Sequence, residues 1–139
     1  MILLDTNVLI YAFETDSPFT QWARQVIAEA AAGEGAMVNP VVLAELCVGD
    51  ARPDEVADRI LAWGVEIHSL PASAAAVCAE AFRLYRDRRI RKAGEQIARM
   101  PLPDFFIGAH AQITNSRLAT ADSGRYKTYF PKVSLVMPD

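Results

Sequence analysis

The chain has 139 residues, 52% hydrophobic and 22% charged, with a formal net charge of −3; that length suits one domain, 1–139, with a core of useful size and a single active site. Its composition excludes a disordered chain, and the acidic balance argues against a general nucleic-acid coat. The apolar start Met1–Leu4 is too short for a signal peptide or a membrane span and meets an acid at Asp5, so a cytoplasmic protein without membrane association is expected.

Met1–Leu4 reads as a short buried strand ending at Asp5, and Asp5-Thr6-Asn7 supplies N-cap candidates for a helix through Phe13. Ser17-Pro18 resembles a cap followed by an N1 proline and opens a helix to Ala32, which Gly33 and Gly35 stop. Met37-Val38 is the next strand. Asn39-Pro40 repeats the cap-and-proline signal before a helix over Val41–Val48, apolar on every side except at Glu45 and ended by Gly49. Pro53–Trp63 is a further helix and Val65–Leu70 a third strand, after which Pro71 opens an Ala-rich helix that runs into an Arg cluster near residue 91. Pro101-Leu102-Pro103-Asp104 introduces a helix through Ile113, and Arg117–Thr120 and Val133–Val136 are short strands. Five strands alternating with helices predict an α/β fold around a mainly parallel sheet. Cys47 and Cys78 lack metal or redox spacing and read as free thiols. His68 and His110 are isolated and read as ordinary strand and helix residues.

Asp5, Glu45 and Asp104 are each the only acid in an apolar stretch, and a carboxylate among apolar neighbours is costly to desolvate unless a cation or hydrogen-bond donors meet it. The element order places them together. In open parallel sheets the functional crevice lies beyond the carboxyl ends of the strands: Asp5 ends the first strand, Glu45 lies on the helix after the second, Asp104 begins the helix before the fourth, and Asp122 follows that strand. Each has a plainer reading. Asp5 and Asp104 could simply cap helices, and Asp122-Ser-Gly is ordinary turn chemistry; Glu45 is solvated on its apolar helix only if its face borders a cleft. Clustered carboxylates repel one another and raise each other's pKa values, and a divalent cation relieves that repulsion. Oxygen donors without Cys or His favour Mg²⁺ or Mn²⁺, whose chemistry suits phosphodiester hydrolysis.

Four blocks, Asp5-Thr6-Asn7-Val8-Leu9-Ile10, Glu45-Leu46 with Gly49, Pro103-Asp104 with its small-residue helix, and Leu118-Ala119-Thr120-Ala121-Asp122, resemble PIN domains in order and spacing across almost the full chain. Among PIN domains, a small single-domain chain of this kind is similar to the VapC-type toxins of prokaryotic toxin–antitoxin pairs. The resemblance implies a PIN-like three-layer α/β/α fold with a central, mainly parallel five-stranded sheet. It further implies a Mg²⁺- or Mn²⁺-dependent endoribonuclease, the toxin of a type II system, that cleaves RNA phosphodiester bonds with metal-activated water. A homodimer and inhibition by a cognate VapB-type antitoxin follow from the same resemblance. Residue by residue, Asp5, Glu45, Asp104 and Asp122 match the family's acidic metal-site positions, and Thr6, Asn7 and Thr120 match its polar support, though these three could equally serve as caps or strand-end hydroxyls. The chain departs from the pattern at Phe105-Phe106, where smaller residues are frequent, and at Tyr126, where Phe is common; neither change removes a ligand.

Net charge conceals a local excess: Arg83, Arg86, Arg88, Arg89, Arg91, Lys92 and Arg99 face only Asp87 and Glu95, a local balance of +5. These cations complement the C-terminal end of a helix dipole. Beside a PIN-like site, Arg83, Arg86, Arg88, Arg89, Arg91 and Lys92 could also bind RNA phosphates. Trp22, Trp63, Phe82 and Tyr85 fall at helical spacing among small apolar residues and read as core.

Three other functions fit less well. A haloacid-dehalogenase-type phosphatase wants a second Asp where Asn7 stands, and a receiver-like domain wants an acidic pair at the end of strand one. The remaining alternative is a catalytically silent PIN-like module that binds RNA or an antitoxin without cutting.

Overall fold

In a computed structural model, which describes residues 1–91 and 100–139, the wholly apolar run Ile2–Leu4 forms β1, the middle strand of a five-stranded sheet. On one side β1 pairs with β2 (Ala36–Val38), which pairs with β3 (Val65–Ile67); on the other it pairs with β4 (Arg117–Ala119), followed by β5 (Leu135–Val136). Every pairing is parallel. All residues of β1 and β2 are buried, the pattern of strands covered on both faces.

The chain first works outward from β1 to β3 through α1 (Thr6–Phe13), α2 (Thr20–Ala32), α3 (Pro40–Val48) and α4 (Val56–Ala62). It then crosses back through α5 (Ala74–Arg91) and α6 (Leu102–Thr114) to β4, and reaches β5 through α7 (Ser123–Tyr129). Right-handed crossovers that travel in opposite directions put their helices on opposite faces of the sheet, which yields the α/β/α layers. The direction reverses between β1 and β4, so a crevice opens at their carboxyl ends.

The elements named in the sequence reading are present with shifted edges, and one helix was not foreseen. β3 stops at Ile67 rather than Leu70, because its partner β2 ends at Val38, whose carbonyl takes the last bond from His68 N at 2.9 Å. The Ser17-Pro18 signal makes a turn, with Ser17 Oγ accepting from Phe19 N, and α2 begins three residues after Ser17 at Thr20. Helix α7 lies where only a turn was read. Ser, Gly, Thr and Tyr are weak helix formers, and α7 is held instead by burial of Tyr126 and of Phe130 just beyond its end.

Ala74, Cys78, Ala81 and Tyr85 form the buried stripe of α5, packed against α6. Tyr85 meets Phe82, Phe105 and Tyr129 in an aromatic cluster with ring centroids 5.3 to 5.9 Å apart. Phe105, one of the departures noted in the sequence, is fully buried there. Trp63, expected in the core, lies at the surface and packs at a tilt against Phe13, ring centroids 4.7 Å apart. Cys47 and Cys78 are free thiols.

Gly108 in α6 has a packing reason to be glycine. A Cβ at this position would lie 2.4 Å from the Phe130 ring, which could not retreat because Phe130 is buried. Gly108→Ala is therefore expected to destabilise the protein by about 1–3 kcal/mol through overpacking, even though alanine favours helix by about 1 kcal/mol. Urea unfolding checks this, and a gain in stability would contradict the packing account.

Candidate active site

The parallel register sets Leu4 of β1 beside Ala119 of β4, so the residues that follow, Asp5 and Thr120, emerge side by side at the crevice. The two oxygens of Asp5 divide between the helix cap and the crevice. Its Oδ1 accepts from Thr6 N at 2.8 Å, at the start of α1. Its Oδ2 accepts from Thr120 Oγ1 at 2.9 Å, Tyr126 Oη at 3.0 Å and Asn7 Nδ2 at 3.3 Å.

The polar neighbours lock the two strand ends together. Thr120 Oγ1 donates to Asp5 and accepts from Asp122 N at 3.0 Å. Asn7 Oδ1 accepts from Ala121 N at 3.2 Å, while its amide also reaches Thr120 Oγ1 at 3.4 Å. Thr6 Oγ1 donates to Glu45 Oε1 at 2.7 Å and so links α1 to α3.

Glu45 is half-buried and borders an apolar groove of about 430 Å³ with Val41, Val48, Leu102, Pro103 and Phe106, the cleft its polarity demands. Asp104 is buried in the first turn of α6, and its Oδ2 accepts from Arg125 Nη1. Asp122 is exposed, and its Oδ2 pairs with Arg125 Nε at 2.8 Å. A separate buried link sets α3 against α6: Asn39 caps α3 through Val42 N, and its amide donates to His110 Nδ1 on α6 at 3.0 Å. Burial and the charge of His68 hold His110 below its ordinary range, so the ring is a neutral acceptor.

Three of the acids share one electrostatic field. Burial pushes the Asp5 carboxyl up; hydrogen bonds from Thr120, Tyr126 and Thr6 pull it back only in part, and Glu45 adds repulsion. Burial is also the main force on Asp104, followed by repulsion from Asp5, which together outweigh Arg125 and raise it to about 6. Burial and the charges of Asp5 and Asp104 hold the Tyr126 hydroxyl far above its ordinary value, so it remains a donor to Asp5. Asp122 joins the group through Arg125.

The donor chemistry fits a hard divalent cation: buried or half-buried carboxylates that oppose one another, with oxygen ligands only. Their orientation is a different matter. Among the described residues, no three Asp, Glu, His or Cys side chains are arranged to enclose an ion together; Asp104 Oδ2 is engaged by Arg125, Glu45 Oε1 by Thr6 and Asp5 Oδ2 by three donors.

The basic stretch lies on α5, with Arg83, Arg86, Arg89 and Arg91 exposed. Arg88 bonds the Tyr129 hydroxyl at 3.4 Å, and Arg89 bonds that of Tyr85 at 3.2 Å. None of these five is hydrogen-bonded to the acidic group, and Lys92 and Arg99 lie outside the described residues. Sequence reasoning missed Arg125, the bonding role of Tyr126 and the Asn39–His110 link. An α7 helix would have exposed the first, because Asp122 and Arg125 are then one turn apart.

A family model described as PIN domain matches residues 2–131. Comparison with curated proteins gives no match. Among solved structures, the chain is similar to a toxin–antitoxin complex from Klebsiella pneumoniae (22% identity, TM-score 0.68, covering 100% of this chain and 98% of the other). It is also similar to VapBC2 of Rickettsia felis bound to a promoter DNA fragment (23%, 0.64, 100% of both chains). A further likeness is to VapC20 of Mycobacterium tuberculosis, described as a sarcin–ricin-loop-cleaving toxin (15%, 0.63, 96% and 99%).

Proposed function

Because the chain belongs to the PIN domain family, we propose that it is a Mg²⁺- or Mn²⁺-dependent endoribonuclease and the toxin of a type II toxin–antitoxin pair. The observation that carries this reading is the shared field of Asp5, Glu45 and Asp104, contributed by three elements, with Asp5 and Asp104 buried. Buried carboxylates that repel one another oppose folding, and a cation offsets that cost.

Asp5, Glu45 and Asp104 would hold the ion, with Asp122 as a further ligand or an orienter of water. Once bound, a divalent cation lowers the pKa of a ligated water and stabilises negative charge on phosphate oxygens. The remaining work falls to the chain itself. Thr120, Tyr126 and Asn7 fix Asp5, Thr6 fixes Glu45, and the Asn39–His110 bond keeps α3 and α6 in register. The exposed cations Arg83, Arg86, Arg89 and Arg91 on α5 would attract RNA phosphates and offset the repulsion of a polyanion by the acids. A VapB-type antitoxin and a second copy of the chain are the protein partners of this reading; the complexes of similar fold from Rickettsia felis and Klebsiella pneumoniae support the first. No helix among the described residues is long and apolar enough to cross a membrane.

The test is incubation of the pure protein with a structured RNA pool in Mg²⁺, Mn²⁺ or EDTA, alongside Glu45→Gln. Internal cleavage with metal, none in EDTA and a loss of roughly tenfold or more in Glu45→Gln is expected. RNA binding without cleavage under any condition would favour the silent-module alternative.

A further inference from the structure

Arg125 is the only cationic side chain, among the described residues, that pairs with any of the four acids. It sits on α7, beside Tyr126, whose hydroxyl is bonded to Asp5; the backbone that carries Arg125 is thereby pinned over the acidic group. Its Nε goes to Asp122 and its Nη1 to Asp104, while Nη2 has no hydrogen bond among the described residues. The side chain is 38% exposed, so solvent and ligands reach it. Asp104 is one of the carboxylates that do not close around an ion, and Arg125 is the group that engages its Oδ2.

We propose that Arg125 is the phosphate-binding residue of the candidate active site, held in reserve by Asp104 until a divalent cation takes over the charge of that carboxylate. The inference rests on the metal-dependent nuclease reading. A single guanidinium cannot serve two carboxylates and a phosphodiester equally, because its five donors lie in one rigid fork. When a cation neutralises Asp104, the edge of that fork becomes available for a bidentate contact with the RNA backbone, the geometry that arginine supplies and lysine does not. Asp122, exposed and paired through Nε, keeps the fork oriented. Arg125 thus competes with the cation before RNA arrives and cooperates with it afterwards, and this opposition gives the proposal its signature.

Two binding measurements on the full chain read it out. Mn²⁺ affinity without RNA is measured by electron paramagnetic resonance for the wild type, Arg125→Gln and Arg125→Lys. Affinity for a hydrolysis-resistant 2′-O-methyl phosphorothioate RNA decamer is measured by fluorescence anisotropy in Mn²⁺ over a range of KCl. Arg125→Gln is expected to bind Mn²⁺ more tightly and the decamer roughly tenfold more weakly, with the magnitude of its salt slope reduced by about 0.7. Arg125→Lys restores the slope and only part of the affinity, and it carries the comparison should the glutamine variant fail to fold. Unchanged RNA affinity and slope in both variants, or weaker Mn²⁺ binding in Arg125→Gln, would overturn the proposal; the latter would make Arg125 a strut that shapes the acidic cluster. A wild type that takes up no Mn²⁺ would overturn the nuclease reading and this one with it, whereas uptake by the wild type with unaltered RNA binding in the variants would overturn this one alone.

Discussion

Asp5→Asn is expected to lower metal-dependent RNA cleavage by roughly 10²-fold or more while the protein still folds. The size follows from what removal of a preorganised charge at a reacting centre costs elsewhere. The direction follows from the bonding of Asp5. An asparagine oxygen can keep the cap on Thr6 N, so α1 retains its start. At the Oδ2 position an amide nitrogen would face Thr120, Tyr126 and Asn7, all of which now donate. The two hydroxyls can turn to accept, but the Asn7 amide cannot, and its hold on the strand ends weakens. The variant therefore loses both the charge at the centre of the carboxylate group and the arrangement that aims it. Steady-state cleavage of a defined RNA, with a melting curve to verify folding, tests this; cleavage within threefold of the wild type would remove Asp5 from the mechanism.

The split role of Asp5 illustrates how much a sequence can carry. Its cap reading and its site reading looked like rivals along the chain, yet the cap occupies one oxygen and leaves the other facing the polar crevice. The central strands were legible because a run such as Ile2–Leu4 has no polar face to offer solvent, and the caps at Asp5 and Asn39 announced α1 and α3. The expected convergence of Asp5, Glu45 and Asp104 came from their places after strand ends and on adjoining helices of a parallel sheet. What could not be read depended on tertiary contacts. Helix α7 has weak helical propensity and forms because Tyr126 and Phe130 are buried. Without that helix neither the Arg125 bridge nor the Tyr126 bond to Asp5 could form. The basic stretch was legible as charge, but its direction relative to the acids depends on how α5 packs, and Arg88 and Arg89 turn toward tyrosines.

The raised pKa of Asp104 makes a second quantitative prediction, in which the proton and the metal ion act in opposite directions. Burial, then repulsion from Asp5, lifts the carboxyl to about 6 from 3.8. The folded protein therefore holds a proton on Asp104 over a window, between about pH 4 and pH 6, in which the unfolded chain has already released it. Where the native state binds more protons than the unfolded state, stability falls as pH rises. In EDTA the wild type should thus lose stability through this window relative to Asp104→Asn, by on the order of 3 kcal/mol once the pH is well above 6. The comparison with the variant cancels groups that titrate alike in both proteins. Mg²⁺ should reverse the trend: a cation prefers the ionised carboxylate and competes with the proton, so its stabilising effect grows as pH rises from 4 to 7. Urea unfolding of both proteins at pH 4 to 8, with Mg²⁺ or EDTA, measures all four curves. Parallel wild-type and Asp104→Asn curves in EDTA would mean that Arg125 neutralises Asp104 fully, and the carboxylate would then have no unmet charge with which to recruit a cation.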